Sequence, residues 1–262
     1  NHYHFLDRKD SGDRALILSR YAGEGSHRYP LGFSGDSAMT WRSLRFQPYM
    51  TSTAANVGYT WWSHDIGGHH MGIKDDELYV RWLQFGVFSP VNRLHSTSNE
   101  FMGKEPWKCG RYAELIADDF LRLRHRLIPY IYSENYATHA HGKALCEPMY
   151  YGWDRPEAYK AKGQYMFGSQ LLVCPITRRT DPDTSLAYAD VWIPEGVFTD
   201  VFTGNRYAAG KYRVYRELNA MPVFAKEGAI VPMYSDVEDN GVSSEKDLDI
   251  LIYRGEGRFV LY

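Results

Sequence analysis

The chain has 262 residues, a formal net charge of −2, 44% hydrophobic residues and 24% charged residues. That balance reads as a folded globular chain, with no basic footprint for nucleic acid or an anionic membrane and no apolar run long enough to span a bilayer. Cys109, Cys146 and Cys174 have neither zinc-ligand spacing nor a disulfide framework and read as buried thiols.

In chain order, the first element is the short apolar run Ala15 to Leu18, which ends at Ser19-Arg20. A glycine-rich loop follows, Gly32-Phe33-Ser34-Gly35-Asp36. A second apolar run, Val57 to Trp62, ends at Ser63-His64-Asp65. Asp75 or Asp76 is placed to cap a helix carrying Leu78, Trp82 and Phe85 on one face. The third run, Phe85 to Val91, ends at Asn92-Arg93-Leu94-His95. Ile116, Phe120, Leu123, Leu127 and Ile131 recur at helical spacing, so a long helix is expected from about Tyr112 to His139. Pro129 is expected to kink it. Ala144 to Tyr151 is a weaker fourth run.

Short buried strands separated by helices imply a parallel sheet, and four such units make half of a (β/α)8 TIM barrel. An open doubly wound sheet competes with that reading, but no glycine-rich phosphate loop follows any strand. Near residue 165 the texture changes to strand-like pieces: Gln170 to Cys174, Ala189 to Ile193, Tyr212 to Tyr215, Ala229 to Val231, Asp249 to Tyr253 and Phe259 to Tyr262. Turn signals divide them at Pro194-Glu195-Gly196, Thr203-Gly204-Asn205 and Arg254 to Gly257, as in an all-β sandwich. Ser235 to Lys246 is polar and reads as a connecting loop. The expected division is therefore 1–164 for the barrel half, 165–236 for the β-sandwich and 237–262 for the start of a further β module.

Active-site residues of such a barrel lie where strands end. Asp36, beside Phe33 in its loop, is placed for general-acid work, with a helix N-cap before Ser37 as the structural alternative. Trp61 and Trp62 fall on opposite faces of a strand, so at most one stacks on a sugar, and Trp62 is the candidate. His64, His69 and His70 surround a Gly-Gly pair, but a metal site is not expected from neighbouring loop histidines. Arg93 reads as holding its loop by a salt bridge, and Arg122, Arg124 and Arg126 as a solvated helix face.

Together these segments resemble glycoside hydrolase family 31, the α-glucosidases and α-xylosidases. Gly32 to Asp36, followed by Trp41, resembles the segment carrying the acid/base Asp. Leu18-Ser19-Arg20 resembles the strand whose Arg binds substrate. Trp62-Ser63-His64-Asp65-Ile66-Gly67-Gly68 resembles the segment whose Asp holds sugar hydroxyls, and Arg93-Leu94-His95 the one whose His also reaches the sugar. Trp192 to Gly196, Phe202-Thr203-Gly204 and Ala229 to Pro232 resemble the β-sandwich that follows the barrel.

The resemblance implies retaining, exo-acting hydrolysis of terminal α-linked glucose or xylose without a cofactor or metal. It makes Asp36 catalytic and Arg20, Phe33, Trp62, Asp65 and His95 substrate-binding. Phe33 stands where many members have Trp, and no segment resembles the motif carrying the nucleophile; Asp7 and Asp10 match nothing. Both ends of the chain read as cut, so the expected partner, besides the α-glucoside or α-xyloside, is the N-terminal half of the same barrel. The rivals are a non-catalytic carbohydrate-binding relative, a transglycosylase, and an inverting hydrolase using Asp36 with Asp65. The sequence carries no N-x-S/T acceptor, which leans the compartment toward the cytoplasm.

Overall fold

The computed structural model describes residues 1–12, 14–20, 23–29, 31–243 and 246–262. Residues 244 and 245, inside the expected loop from Ser235 to Lys246, lie outside the described residues. Parallel strands open the architecture. Strand β1 (Gly32–Phe33) pairs in parallel with β2 (Trp62–Ser63). Parallel bridges extend this pair on both sides, from Ser19 to Gly32 and from Ser63 to Val91. The order is thus Ser19, β1, β2, Val91. Gly32-Phe33, expected in a loop, is itself a strand.

Helices cover these strands. An exposed helix, α1 (His2–Asp10), precedes them, and α2 (Trp41–Thr53) links β1 to β2. Thr40 caps α2 through Ser43 N–H, so Asp36 is not a helix cap and the structural alternative for it fails. Helix α3 (Asp76–Val87) is capped by Asp75, which accepts from Leu78 N–H at 3.1 Å. The long helix divides at Leu127 into α4 (Arg111–Arg126) and α5 (Ile128–His141), because Pro129 has no N–H to continue the ladder.

The fourth apolar run does not join the parallel strands. It forms β3 (Cys146–Pro148), which pairs antiparallel with β4 (Tyr165–Phe167), so the texture change at residue 165 falls inside one sheet. A short helix, α6 (Pro156–Lys160), lies between them. The later strands are β5 (Leu171–Val173), β6 (Ala187–Asp200), β7 (Arg206–Arg216) and β8 (Val223–Lys226). They complete a six-stranded antiparallel sheet of order β3-β4-β5-β8-β6-β7. Pro194-Glu195-Gly196, expected as a turn, is a bulge inside β6. Strands β9 (Ile230–Tyr234) and β10 (Leu248–Ile252) form a separate antiparallel pair, and Phe259 to Tyr262 is not a strand.

The inner strands β5 and β8 are buried on both faces, and the period of two is visible residue by residue. Leu171, Val173, Val223 and Ala225 pack into a core shared with α3, α4 and α5. Leu172 and Phe224, between them in sequence, pack into a second core with Ala187, Ala189, Val191 and Val214.

Two arginines clamp the layers, Arg81 fully buried and Arg124 half-buried. Arg81 on α3 donates to the carbonyls of Ala220 and Glu217 at 2.8 and 3.0 Å. Arg124 on α4 donates to Val87 O, Ser89 O and Pro90 O, so it closes the end of α3 and fixes the segment that leads to the Val91 bridge. The arginine run is therefore not one solvated face: Arg122 is exposed, whereas Arg126 reaches Tyr234 O and Asp249.

Candidate active site

The two parallel strands and the single bridges at Ser19 and Val91 that flank them are each followed by polar side chains: Arg20, Asp36, Asp65 and His95. The loops that carry them are stitched by backbone bonds. Ser37 O accepts from His69 N–H at 2.7 Å, and Met39 N–H donates to His70 O at 2.9 Å. Gly67 and Gly68 both have φ near +80°, and a Cβ on Gly68 would lie 2.7 Å from the Met39 backbone. Only glycine lets the chain turn here and bring Asp65 toward the Asp36 loop.

One oxygen each from Asp36 and Asp65 and one ring nitrogen each from His69 and His95 all lie within 4.8 Å of one another. Arg20 Nη1 is 3.7 Å from Asp36 Oδ2, and His69 Nε2 is 3.8 Å from the same oxygen. Asp36 is the exposed member, at 38% for its side chain. Asp65 is fully buried: Arg93 donates to Oδ1 at 2.5 Å and Ser37 N–H to Oδ2 at 3.3 Å.

Asp65, expected to hold sugar hydroxyls, is engaged by groups of this chain. With no exposed surface and both oxygens engaged, Asp65 orients Arg93 and the Asp36 loop. Arg93 does form the loop salt bridge, and its guanidinium also lies 5.1 Å from the ring centre of half-buried Phe33.

Trp62, expected to stack on a sugar, lies away from this cluster. Ser63 and Asp65 point toward Arg93, so alternation turns Trp62 and His64 to the other side, against the helices. Trp62 packs edge-on to Tyr59 at 5.8 Å and lines a cavity of about 670 Å³ with His27, Met50 and Thr53, apart from the cluster. Trp61 is the more exposed of the two and donates to Asn135.

His64 accepts from Trp82 Nε1–H on Nδ1, so its proton sits on Nε2, facing Ser89 Oγ. Burial first, then Arg93 and Arg124, push its pKa down to about 3, which makes it a neutral brace between β2 and α3. His64 therefore does not converge with His69 and His70 on a metal. The donor set that does converge is Asp36, Asp65, His69 and His95, and both of its carboxylates already face arginines.

His95 is held below the usual histidine range, chiefly by burial; Arg93 and His69 oppose its charge, while Asp65 and Asp36 favour it. Its ring stacks on His69 with centroids 4.5 Å apart and planes at 24°. Sequence reasoning gave His69 no role. Its position directly after Asp65-Ile66-Gly67-Gly68 was the available signal.

Comparison with known proteins places this geometry. The glycosyl hydrolases family 31 TIM-barrel domain profile matches residues 1–134, and the family 31 C-terminal domain profile matches residues 142–231. An α-xylosidase of Saccharolobus solfataricus is 31% identical, over 97% of this chain and 35% of its own length. The mouse neutral α-glucosidase C is 33% identical, over 88% of this chain and 26% of its own. A Flavobacterium johnsoniae family 31 dextranase, solved with glucose, superposes with a TM-score of 0.87 at 29% identity, over 96% of this chain and 32% of its own. The chain thus spans about a third of the length of these relatives. With its strand order, its polar strand ends and a family profile over more than half its length, the chain belongs to glycoside hydrolase family 31.

Proposed function

We propose that this chain is the carboxyl-terminal half of a retaining α-glycosidase barrel together with the β-sandwich that follows it. The protein removes terminal α-linked glucose or xylose. The barrel half runs from residue 1 through α5, the sandwich continues to about residue 236, and 237–262 begins a further β module. Relatives about three times longer support a missing half.

The observation that carries the activity is the convergence of Asp36, Asp65, His69 and His95 beside Arg20 at one rim of the parallel strands. Asp36 protonates the leaving oxygen, then takes a proton from the water that releases the sugar. The nucleophile comes from the other half of the barrel, placed roughly 5–5.5 Å from Asp36. Asp65 is not that group, because both its oxygens are held. Nor does it form an inverting pair with Asp36: their facing oxygens lie within 4.8 Å, and inversion leaves roughly 6.5–9.5 Å for a water. Arg20, Arg93, Phe33 and His95 line the sugar site, with Asp65 acting through Arg93.

The test is Asp36→Asn in the whole protein that carries this chain. Hydrolysis of a poor-leaving-group α-glucoside or α-xyloside should slow by roughly 10²–10⁴-fold, the range of general acid–base catalysis. A good leaving group should spare the first step, and azide should partly restore the second. Near-normal turnover of the poor substrate would end the acid/base assignment. The 262-residue chain alone should be inactive on both aryl glycosides, and robust turnover would place a nucleophile within it.

A further inference from the structure

Asp36 has a second neighbour that the reaction as described does not use. His69 Nε2 lies 3.8 Å from Asp36 Oδ2, the oxygen that Arg20 Nη1 also approaches, at 3.7 Å. The His69 ring is fixed from three sides. Its backbone N–H is bonded to Ser37 O, one residue past Asp36. One face stacks on His95, and His70 meets it edge-on at 5.2 Å. Its Nδ1 is buried and has no hydrogen-bond partner among the described residues. A buried N–H without an acceptor is the rarer and costlier defect than a bare lone pair. That places the ring proton on Nε2, the nitrogen that faces a carboxylate.

At 3.8 Å the contact is an ion-pair distance and not yet a hydrogen bond. Such contacts at catalytic groups tighten when substrate is bound. The donor is useful in one half of the reaction and not in the other. Before the first step the Asp36 carboxyl holds a proton, and a donor from His69 gains less there, because a neutral carboxyl is a weaker acceptor than a carboxylate. After that proton has gone to the leaving oxygen, Asp36 is an anion that must stay aimed at the incoming water.

We propose that His69 is a positioning residue for Asp36, its Nε2–H holding the ionised carboxylate during release of the sugar. The stack on His95 ties that carboxylate to the loop that lines the sugar site. Protons balance: one goes from Asp36 to the leaving oxygen, one returns from water to Asp36, and the His69 proton stays on Nε2. This rests on the acid/base reading of Asp36, and the experiment separates the two.

The variants are His69→Ala, His69→Gln and His69→Phe in the whole protein, with Asp36→Asn alongside. The substrate is an aryl α-glycoside with a good leaving group, so that sugar release limits kcat. His69→Ala should lower kcat about 10- to 100-fold, the worth of one hydrogen bond to a charged group. KM should fall with it, because the glycosyl-enzyme accumulates. His69→Gln, whose amide N–H₂ reaches where Nε2 stood, should recover most of the loss. His69→Phe, which keeps the stacking surface and removes the donor, should not.

Recovery by phenylalanine as good as by glutamine would make His69 a packing residue and overturn the proposal. So would an unchanged kcat in His69→Ala beside a slow Asp36→Asn; in that case the acid/base reading stands alone. If Asp36→Asn is itself as fast as the parent on poor leaving groups, the acid/base reading falls, and the His69 proposal with it.

Discussion

The parallel and antiparallel parts of the chain use their strands for opposite purposes. Strands β1 and β2 are two residues long, and what matters is the polar loop each one launches. Strand β6 runs for 14 residues, and what matters there is which face each residue buries, while its 11-residue edge neighbour β7 buries Val214 alone. Every member of the polar cluster comes from the first part, whereas the second supplies an apolar wall and the carbonyls that Arg81 grips. A short parallel strand brings several side chains to one rim, at the ends where the backbone is free to turn. A long antiparallel strand commits its side chains to packing.

This division can be broken by substitution. Arg93→Ala strands the buried Asp65 charge and should have the largest effect, about 3–5 kcal/mol of stability together with most of the turnover. Denaturant titration and an assay of the refolded fraction would read both; a stable, active variant would show that the pair is dispensable. Phe224→Ala, deep in the second core, should cost a similar amount, about 3–5 kcal/mol, by leaving a cavity. Its remaining folded molecules should keep parental kcat. A large drop in kcat per folded molecule would mean that the sheet reaches into the chemistry.

His64 sharpens the comparison through pH. Its pKa falls to about 3 in the folded chain. An unfolded histidine titrates near 6.5, so between those values the unfolded state binds the extra proton. The stabilisation is complete above about pH 6.5 and is lost as pH falls toward 3, with a slope of up to about 1.4 kcal/mol per unit. Urea titrations of the parent and His64→Gln at pH 7 and pH 5 should show the parent losing more; equal losses would mean that His64 is not held neutral. The smallest effect is expected at the seam. Asp75 caps α3 and also pairs with Arg179, ahead of β6, at 2.7 Å. Asp75→Ala should cost about 1 kcal/mol in thermal unfolding, as the loss of a cap does. A loss several times larger would make the surface pair with Arg179 a real joint between the two parts.

What could be read beforehand follows the same division. That Arg20 and His95 lie near Asp36 follows from position: Arg20 and His95 come just after short apolar runs and Asp36 sits in a glycine-rich loop, and such places can be located without knowing which way side chains face. The side of the strand on which Trp62 falls was not legible, because side-chain direction depends on the register of a two-residue strand, and that is set by its neighbours. The motif singled out Asp65, but its engagement by Ser37 and Arg93 is a tertiary fact. Arg124 looked like its exposed neighbour Arg122 until the carbonyls of residues 87–90 arrived from another element. Cys146 to Pro148 looked like one more barrel strand because a short apolar run does not reveal whether its partner will be parallel or antiparallel. His69 carried no periodic signal at all, since its meaning lies in a stack with His95 on the next loop.

One continuous core carries side chains from α3, α4 and α5 and from one face of β4, β5 and β8. No solvent layer separates the helices of the parallel part from the sheet, so the boundary between the two family profiles is not a thermodynamic boundary. Amides in α4 and in β5 should exchange with deuterium through the same global opening. Cutting the chain between α5 and β3 would expose Phe120, Tyr130 and Phe167 together and leave neither piece with a closed interior. For recombination between relatives, the heritable unit is therefore the pair. A sheet from one enzyme placed on the helices of another inherits someone else's packing, and its compatibility will be decided at Leu171, Val173 and Val223 before it is decided at any residue that meets a sugar.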